Sequence, residues 1–185
     1  MSKATDWITA LSGSVVAVIA AGALWYAHAQ ISEAHKEAQV QHLLEMDQRY
    51  SQEPMVTYRK LYAKKRIAGG DPFPEEERLL DYFETVALLA NSGYLKDMDV
   101  WETFSLDIFP LYADARDTID QDQKDDPTEY SNLVALVSRL EAIDVARNGK
   151  GYKPSKDDIA DYWKDEASIG VGTPTRKRKV AAASK

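Results

Sequence analysis

The sequence predicts an all-α protein, and three observations predict it. Residues 7–32 form a run of twenty-six without a charge. Farther along, apolar residues recur at three- and four-residue steps, the period of one helix face. No stretch of useful length alternates apolar and polar as a half-buried strand would. The expected architecture is an N-terminal transmembrane helix extended into a bundle of about five helices, with a disordered C-terminal tail. Its divisions are a flank over 1–6, the span over 7–32, a helical domain over 33–168 and a basic tail over 169–185.

The first element is fixed by its length. As a helix, the uncharged run would extend about 39 Å, enough to cross a ~30 Å hydrocarbon core with some tilt. Trp7 near one end and Trp25 and Tyr26 near the other stand about 27 Å apart, where amphipathic rings favour the two headgroup layers. Gly13, Ala17 and Ala21 repeat small residues every four positions, a face that permits close approach of a second span. Ala27-His28-Ala29 has the small-x-small form of a signal-peptidase site, so cleavage after Ala29 is the rival reading. The apolar stretch exceeds the ~7–15 residues of a usual signal core, which favours an uncleaved anchor.

The later elements follow from caps and stripes. The first helix should continue to Tyr50, because residues 31–50 hold no Gly or Pro. Ser51 is the expected N-cap of a second helix, with Pro54 in its first turn and Gly69-Gly70 at its end. A third opens on Glu75-Glu76-Glu77 at the positive end of the helix dipole and stops at Gly93. Asp97 should cap a fourth, whose stripe runs Trp101, Phe104, Ile108, Leu111, Ala115, Ile119, with a bend at Pro110. Residues 121–127 read as a polar linker. Thr128 should cap a fifth helix with Leu133, Val137, Leu140 and Ile143 or Asp144 on one face, ending at Asn148-Gly149. Ser155 and Asp158 have capping-box spacing for a sixth carrying Ile159, Tyr162 and Trp163. The expected core is Phe83, Trp101, Phe104, Ile108, Leu133, Val137 and Leu140.

The stretches Leu80-Asp81-Tyr82-Phe83-Glu84-Thr85-Val86-Ala87-Leu88-Leu89, Gly93-Tyr94-Leu95 and Val100-Trp101-Glu102-Thr103-Phe104 carry a resemblance. With the N-terminal span and Leu44-Glu45-Met46-Asp47-Gln48-Arg49-Tyr50, the chain resembles an uncharacterised bacterial family of single-span helical proteins, domain of unknown function 4760-like, over residues 7–145. The resemblance implies the architecture and assigns no catalytic residue.

Composition narrows function. The five basic residues beyond residue 168 (Arg176, Lys177, Arg178, Lys179, Lys185) face no acid there, so the whole-chain charge of −7 leaves −12 on residues 1–168. An acidic body discourages phosphate-mediated nucleic-acid binding. The chain has no cysteine, and no histidine beyond residue 42, so thiol and Ser-His nucleophiles cannot be built in the helical domain. No cofactor, metal site or catalytic set is expected.

Three charged patterns remain. His28, His35 and His42 recur every seven residues and share roughly one face. A parallel homodimer would set His35 against its mate, while coincident spacing on a solvated face explains the pattern as well. Asp114, Asp117, Asp120, Asp122, Asp125 and Asp126 begin like a calcium loop at Asp120-x-Asp122. Lys124 then takes a ligand slot, the Gly is missing and Ser131 replaces the bidentate Glu. Lys64, Lys65 and Arg66 would return to the headgroups if the second helix folds back along the first, and contact anionic lipid. The functional expectation is a membrane-anchored interaction or scaffold protein in the cell membrane. Its helical domain is read as cytoplasmic, and its partners as membrane lipids and another protein or itself as a homodimer. A secreted or periplasmic helical protein, or an enzyme with an unlocated carboxylate site, is the alternative.

Overall fold

The computed structural model describes residues 3–170, with side chains from residue 25 onward except Ala29 and Ser32. Every regular element among them is a helix: α1 Lys3–Tyr50, α2 Met55–Ile67, α3 Glu75–Asn91, α4 Asp97–Asp114, α5 Arg116–Asp125, α6 Ser131–Asn148 and α7 Lys156–Ser168. The all-α class is as the sequence predicts. The chain divides into two units, Met1–Gln39 and Val40–Lys185. The first, within its described residues, is the helix α1. The second takes the last turns of α1 with α2–α7. Of the expected tail over 169–185, Ile169 is buried as the C-cap of α7 and Gly170 is exposed, while residues 171–185 lie outside the described residues.

The second unit is built by stripes that each helix turns inward. From α3 come Leu79, Leu80, Phe83, Val86 and Ala87; from α4 Val100, Trp101, Phe104, Ile108 and Leu111; from α6 Leu133, Leu136, Val137 and Leu140, all buried. Each fully buried Leu, Val or Phe contributes ~1.5–3 kcal/mol of transfer free energy. Tyr50, Tyr82, Phe83 and Phe104 form an aromatic cluster with ring centroids 5.2–6.5 Å apart. α3 packs on α2 and α6, α4 on α6, and α7 on α2 and α4.

Punctuation follows the turn residues. Gly93 and Gly149 end α3 and α6 at φ +78° and +75°, a conformation that a Cβ would strain. Tyr94 N–H closes back on the Leu89 carbonyl at 2.9 Å. The capping box of α7 is formed as expected, Ser155 Oγ accepting from Asp158 N while Asp158 accepts from Ser155 N.

Six expectations are corrected. Asp97 is the first residue of α4 and Lys96 holds its N-cap position. Six helices, α2–α7, follow α1 where about five were expected. The fourth helix does not run unbroken to Ile119: it ends at Asp114, Ala115 carries non-helical angles, and α5 begins at Arg116. The reason is Arg66, whose guanidinium bonds the Asp114 carbonyl at 3.3 Å as well as its carboxylate, satisfying the end of α4 from outside. Ala115 and Ile119 are still buried, so the stripe survives the break. Residues 121–125 of the expected linker are the last turns of α5. Thr128 does not cap α6. Its N–H and hydroxyl go to Asp126, and Glu84 of α3 takes the first amides of α6 instead, Asn132 N at 3.2 Å and Leu133 N at 2.7 Å. Ser51 lies in a turn and Pro54 holds the N-cap position of α2.

Candidate functional site

Two arrangements on the α2–α4–α7 side stand out, one buried and one open. The buried one centres on Arg59, 2% exposed, in the middle of α2. Its Nε and Nη2 donate to the two carboxylate oxygens of Glu166 on α7 at 2.7 and 2.9 Å, and Nη1 donates to the Tyr50 carbonyl at 3.1 Å. The guanidinium also lies 4.0 Å over the Tyr50 ring. The Tyr50 and Tyr162 hydroxyls meet at 3.5 Å, and Asp107, fully buried on α4, belongs to the same electrostatic group. Burial first, and Asp107 second, push the Tyr50 hydroxyl far above its ordinary range. Burial works against the Arg59 charge, but Tyr50, Glu166 and Asp107 outweigh it and its pKa rises. Arg59 is thus held as a cation. A buried bidentate pair recovers its desolvation only when hydrogen bonds satisfy the remaining protons, as the Tyr50 carbonyl does here.

The open arrangement is a groove of about 600 Å³. Arg66 and Ile67 at the end of α2, Ala113 and Asp114 at the end of α4, and Lys156, Ile159, Ala160, Trp163 and Lys164 of α7 line it. Its back wall is a polar network. Arg66 grips Asp114 with Nε at 2.6 Å and through Nη2, and the Tyr62 hydroxyl lies 2.9 Å from Asp114 and 3.3 Å from Glu76. A phenol has one proton, and the shorter contact directs it to Asp114. Thr118 donates to Glu76 at 3.3 Å. Burial pushes the Glu76 carboxyl above its ordinary value, partly countered by Arg66 and by the Thr118 and Tyr62 hydroxyls. The floor is apolar. Trp163 is buried with its ring 4.6 Å from that of Tyr62, whereas Ile67 is 55% exposed.

The residues singled out in the sequence are distributed as follows. Phe83, Trp101, Phe104, Ile108, Leu133, Val137 and Leu140 are all buried in one cluster. Lys65 pairs with Glu75 and donates to the Phe73 carbonyl, and Arg66 pairs with Asp114, so of the basic trio Lys64 alone is exposed and has no recorded partner among the described residues. The structure therefore joins Arg66 and Asp114, members of two separate sequence clusters. Asp120 pairs with Arg116, Asp126 holds Thr128, and no group of three or more metal-ligating side chains occurs among the described residues. His28 and His35 are exposed, whereas His42 sets its ring edge-on to Tyr94 at 5.9 Å. Trp25 and Tyr26 are exposed. The side chains of Trp7, Gly13, Ala17 and Ala21 lie outside the described residues. No helix among the described residues is long and apolar enough to cross a membrane.

Sequence reasoning missed Arg59, Glu166 and Asp107. The signal was present: each sits on an apolar stripe, Arg59 three residues from Val56 and from Tyr62, Asp107 three from Phe104, Glu166 three from Trp163. A charge on an inward face needs a buried partner.

Residues 17–140 match the family model described as Domain of unknown function (DUF4760). The chain belongs to this family. The DUF4760 match starts within α1 and stops inside α6, so α2–α5 fall within it and α7 falls beyond it. Arg59, Arg66 and Asp114 are thus residues of the DUF4760 segment, while Glu166, Trp163 and the two groove lysines are not. The chain matches no curated protein and no solved structure.

Proposed function

We propose that this DUF4760 protein is a single-span, membrane-anchored interaction module. Its helical bundle lies on the cytoplasmic side and acts by binding another macromolecule rather than by catalysis. The observation that carries the binding role is the groove. It joins an apolar floor to a rigid wall whose polar groups are already satisfied by one another, so what it offers a partner is surface and not reactive chemistry. The absence of His beyond residue 42 and of any Cys supports the non-catalytic half. The uncharged run over 7–32 supports the anchor, being of spanning length in sequence. Contact with anionic headgroups is supported by Lys64 alone, at ~1 kcal/mol for one such charge, because Glu75 and Asp114 already take Lys65 and Arg66.

The test is the fate of the N-terminus in membranes. The anchor predicts retention in the pellet after alkaline carbonate extraction, with an N-terminus upstream of residue 7. Protease added to sealed, inside-in vesicles should leave the bundle intact. A mature chain starting at Gln30 and released to the soluble fraction overturns this reading. It would establish the secreted one, which Ala27-His28-Ala29 favours.

A further inference from the structure

We propose that the groove between α2, α4 and α7 docks an amphipathic helix of a partner protein that carries two acidic residues about two turns apart. The inference rests on the interaction-module reading and names its partner by chemistry.

The charges at the groove are arranged for this. Lys156 and Lys164 are eight residues apart on α7, which places them about 12 Å apart along one edge. Ala160 lies midway between them in sequence. Lys156 has no ion-pair partner among the described residues. The partner of Lys164 is Asp161, in a pair with 67% and 74% exposed side chains, which a docking carboxylate can exchange at little cost. Arg66 places Nε and Nη2 on Asp114, which neutralises its charge, so it contributes mainly shape. Of the acids on α7, Asp158 is held in the cap and Glu166 is buried on Arg59. Asp157, Asp161 and Asp165 act on Lys164 but are absent from the lining, whose charges are Arg66, Lys156 and Lys164 against Asp114. On a body of net charge −12 this edge presents cations beside an apolar trough.

The apolar part fits a helix. Ala113 and Ala160 are small, so a partner backbone can approach at the ~8–10 Å of helix packing, and Ile67, Ile159 and Trp163 supply the surface that i, i+3, i+4 and i+7 anchors cover. Acids at i and i+7 or i+8 on a helix alongside α7 reach both lysines. A single-carboxylate amphiphile would reach one and leave the other dispensable.

The experiment uses the full chain in nanodiscs of neutral phosphatidylcholine. The probes are two fluorescent helical peptides of about sixteen residues, long enough to hold helix when stapled. Both carry Leu at i, i+3, i+4 and i+7; one has Glu and its twin Lys at two positions eight apart. Anisotropy should show the Glu peptide binding at least about tenfold tighter than its twin. Lys156→Glu combined with Lys164→Glu should remove that preference, each single change should cost several-fold, and Ala160→Trp should block both peptides. Equal binding of the twins, or binding untouched by these substitutions, overturns the proposal. So does a loss from one of the two lysine changes with none from the other, which would indicate the single-carboxylate ligand. Thermal melts of each variant keep folding separate from docking. Failure here with the chain still carbonate-resistant leaves the anchored-module reading standing.

Discussion

Arg59 and Glu166 lie 107 residues apart in sequence, yet they meet in two parallel hydrogen bonds of 2.7 and 2.9 Å with both side chains all but removed from solvent. That pair joins α7 to the centre of α2. Removing one partner leaves the other charge buried, which costs more than the pair contributes. Glu166→Gln should therefore lower stability by ~3–5 kcal/mol, or about 10 °C in Tm for a chain of this size. The double change Arg59→Met with Glu166→Leu, which removes both charges, should recover most of the loss. Circular dichroism melts of the parent and the two variants check it, and equal losses in single and double variants would show that shape rather than charge is at stake.

Glu76 carries a pH signature. Burial raises its folded-state pKa above the ordinary 4.5, so the folded protein holds a proton that the unfolded chain releases. Its contribution to stability is full below the unfolded value and is lost as pH rises through the folded value. Glu76→Gln should then be more stable than the parent at neutral pH, with the gap closing as pH falls toward 4.5. Paired urea melts across that range measure the gap. A constant difference would remove Glu76 from the account.

Glu84 serves as a cap borrowed from another helix. It accepts from the Asn132 and Leu133 amides, while Tyr130 before them is held at φ +51°. Glu84→Ala should cost ~1–2 kcal/mol, the scale of a lost N-cap. Hydrogen exchange should quicken at the first turn of α6 while the middle of α6, around Leu136 and Leu140, keeps its protection.

The cap of α7 can be probed independently. Ser155→Ala removes the Oγ half of the capping box, leaves the Ser155 N–H bond to Asp158, and should cost ~1 kcal/mol, with faster exchange confined to residues 156–159. Because Ser155 is exposed, is not itself a lining residue and keeps its carbonyl bond to Ile159 N–H in the variant, peptide binding should be unchanged.

What could be read in the sequence was what is local. The Ser155–Asp158 box is a contact across three residues, and the stripe from Trp101 to Ile119 records which side faces inward. A stripe does not record whether the backbone ladder is continuous. Ala115 therefore breaks the helix without breaking the period, and the cause, Arg66, lies 48 residues from Asp114, the end of α4. The pairing of the basic trio was illegible for the same reason. Its neighbours in space are Glu75 and Asp114, from two other helices, and no spacing rule on α2 alone could name them. Arg59, Asp107 and Glu166 were visible only as breaches of amphipathic order, each waiting on an element elsewhere.

The DUF4760 match ends at residue 140, yet the counter-ion of its most deeply buried cation is at residue 166. A fragment trimmed to the matched segment would cut α6 in half and open Arg59 to water. The family boundary and the folding boundary of this chain are therefore different lines. An expression fragment meant to fold has to reach past Ser168, and relatives that share Arg59 but end sooner must satisfy it by another route.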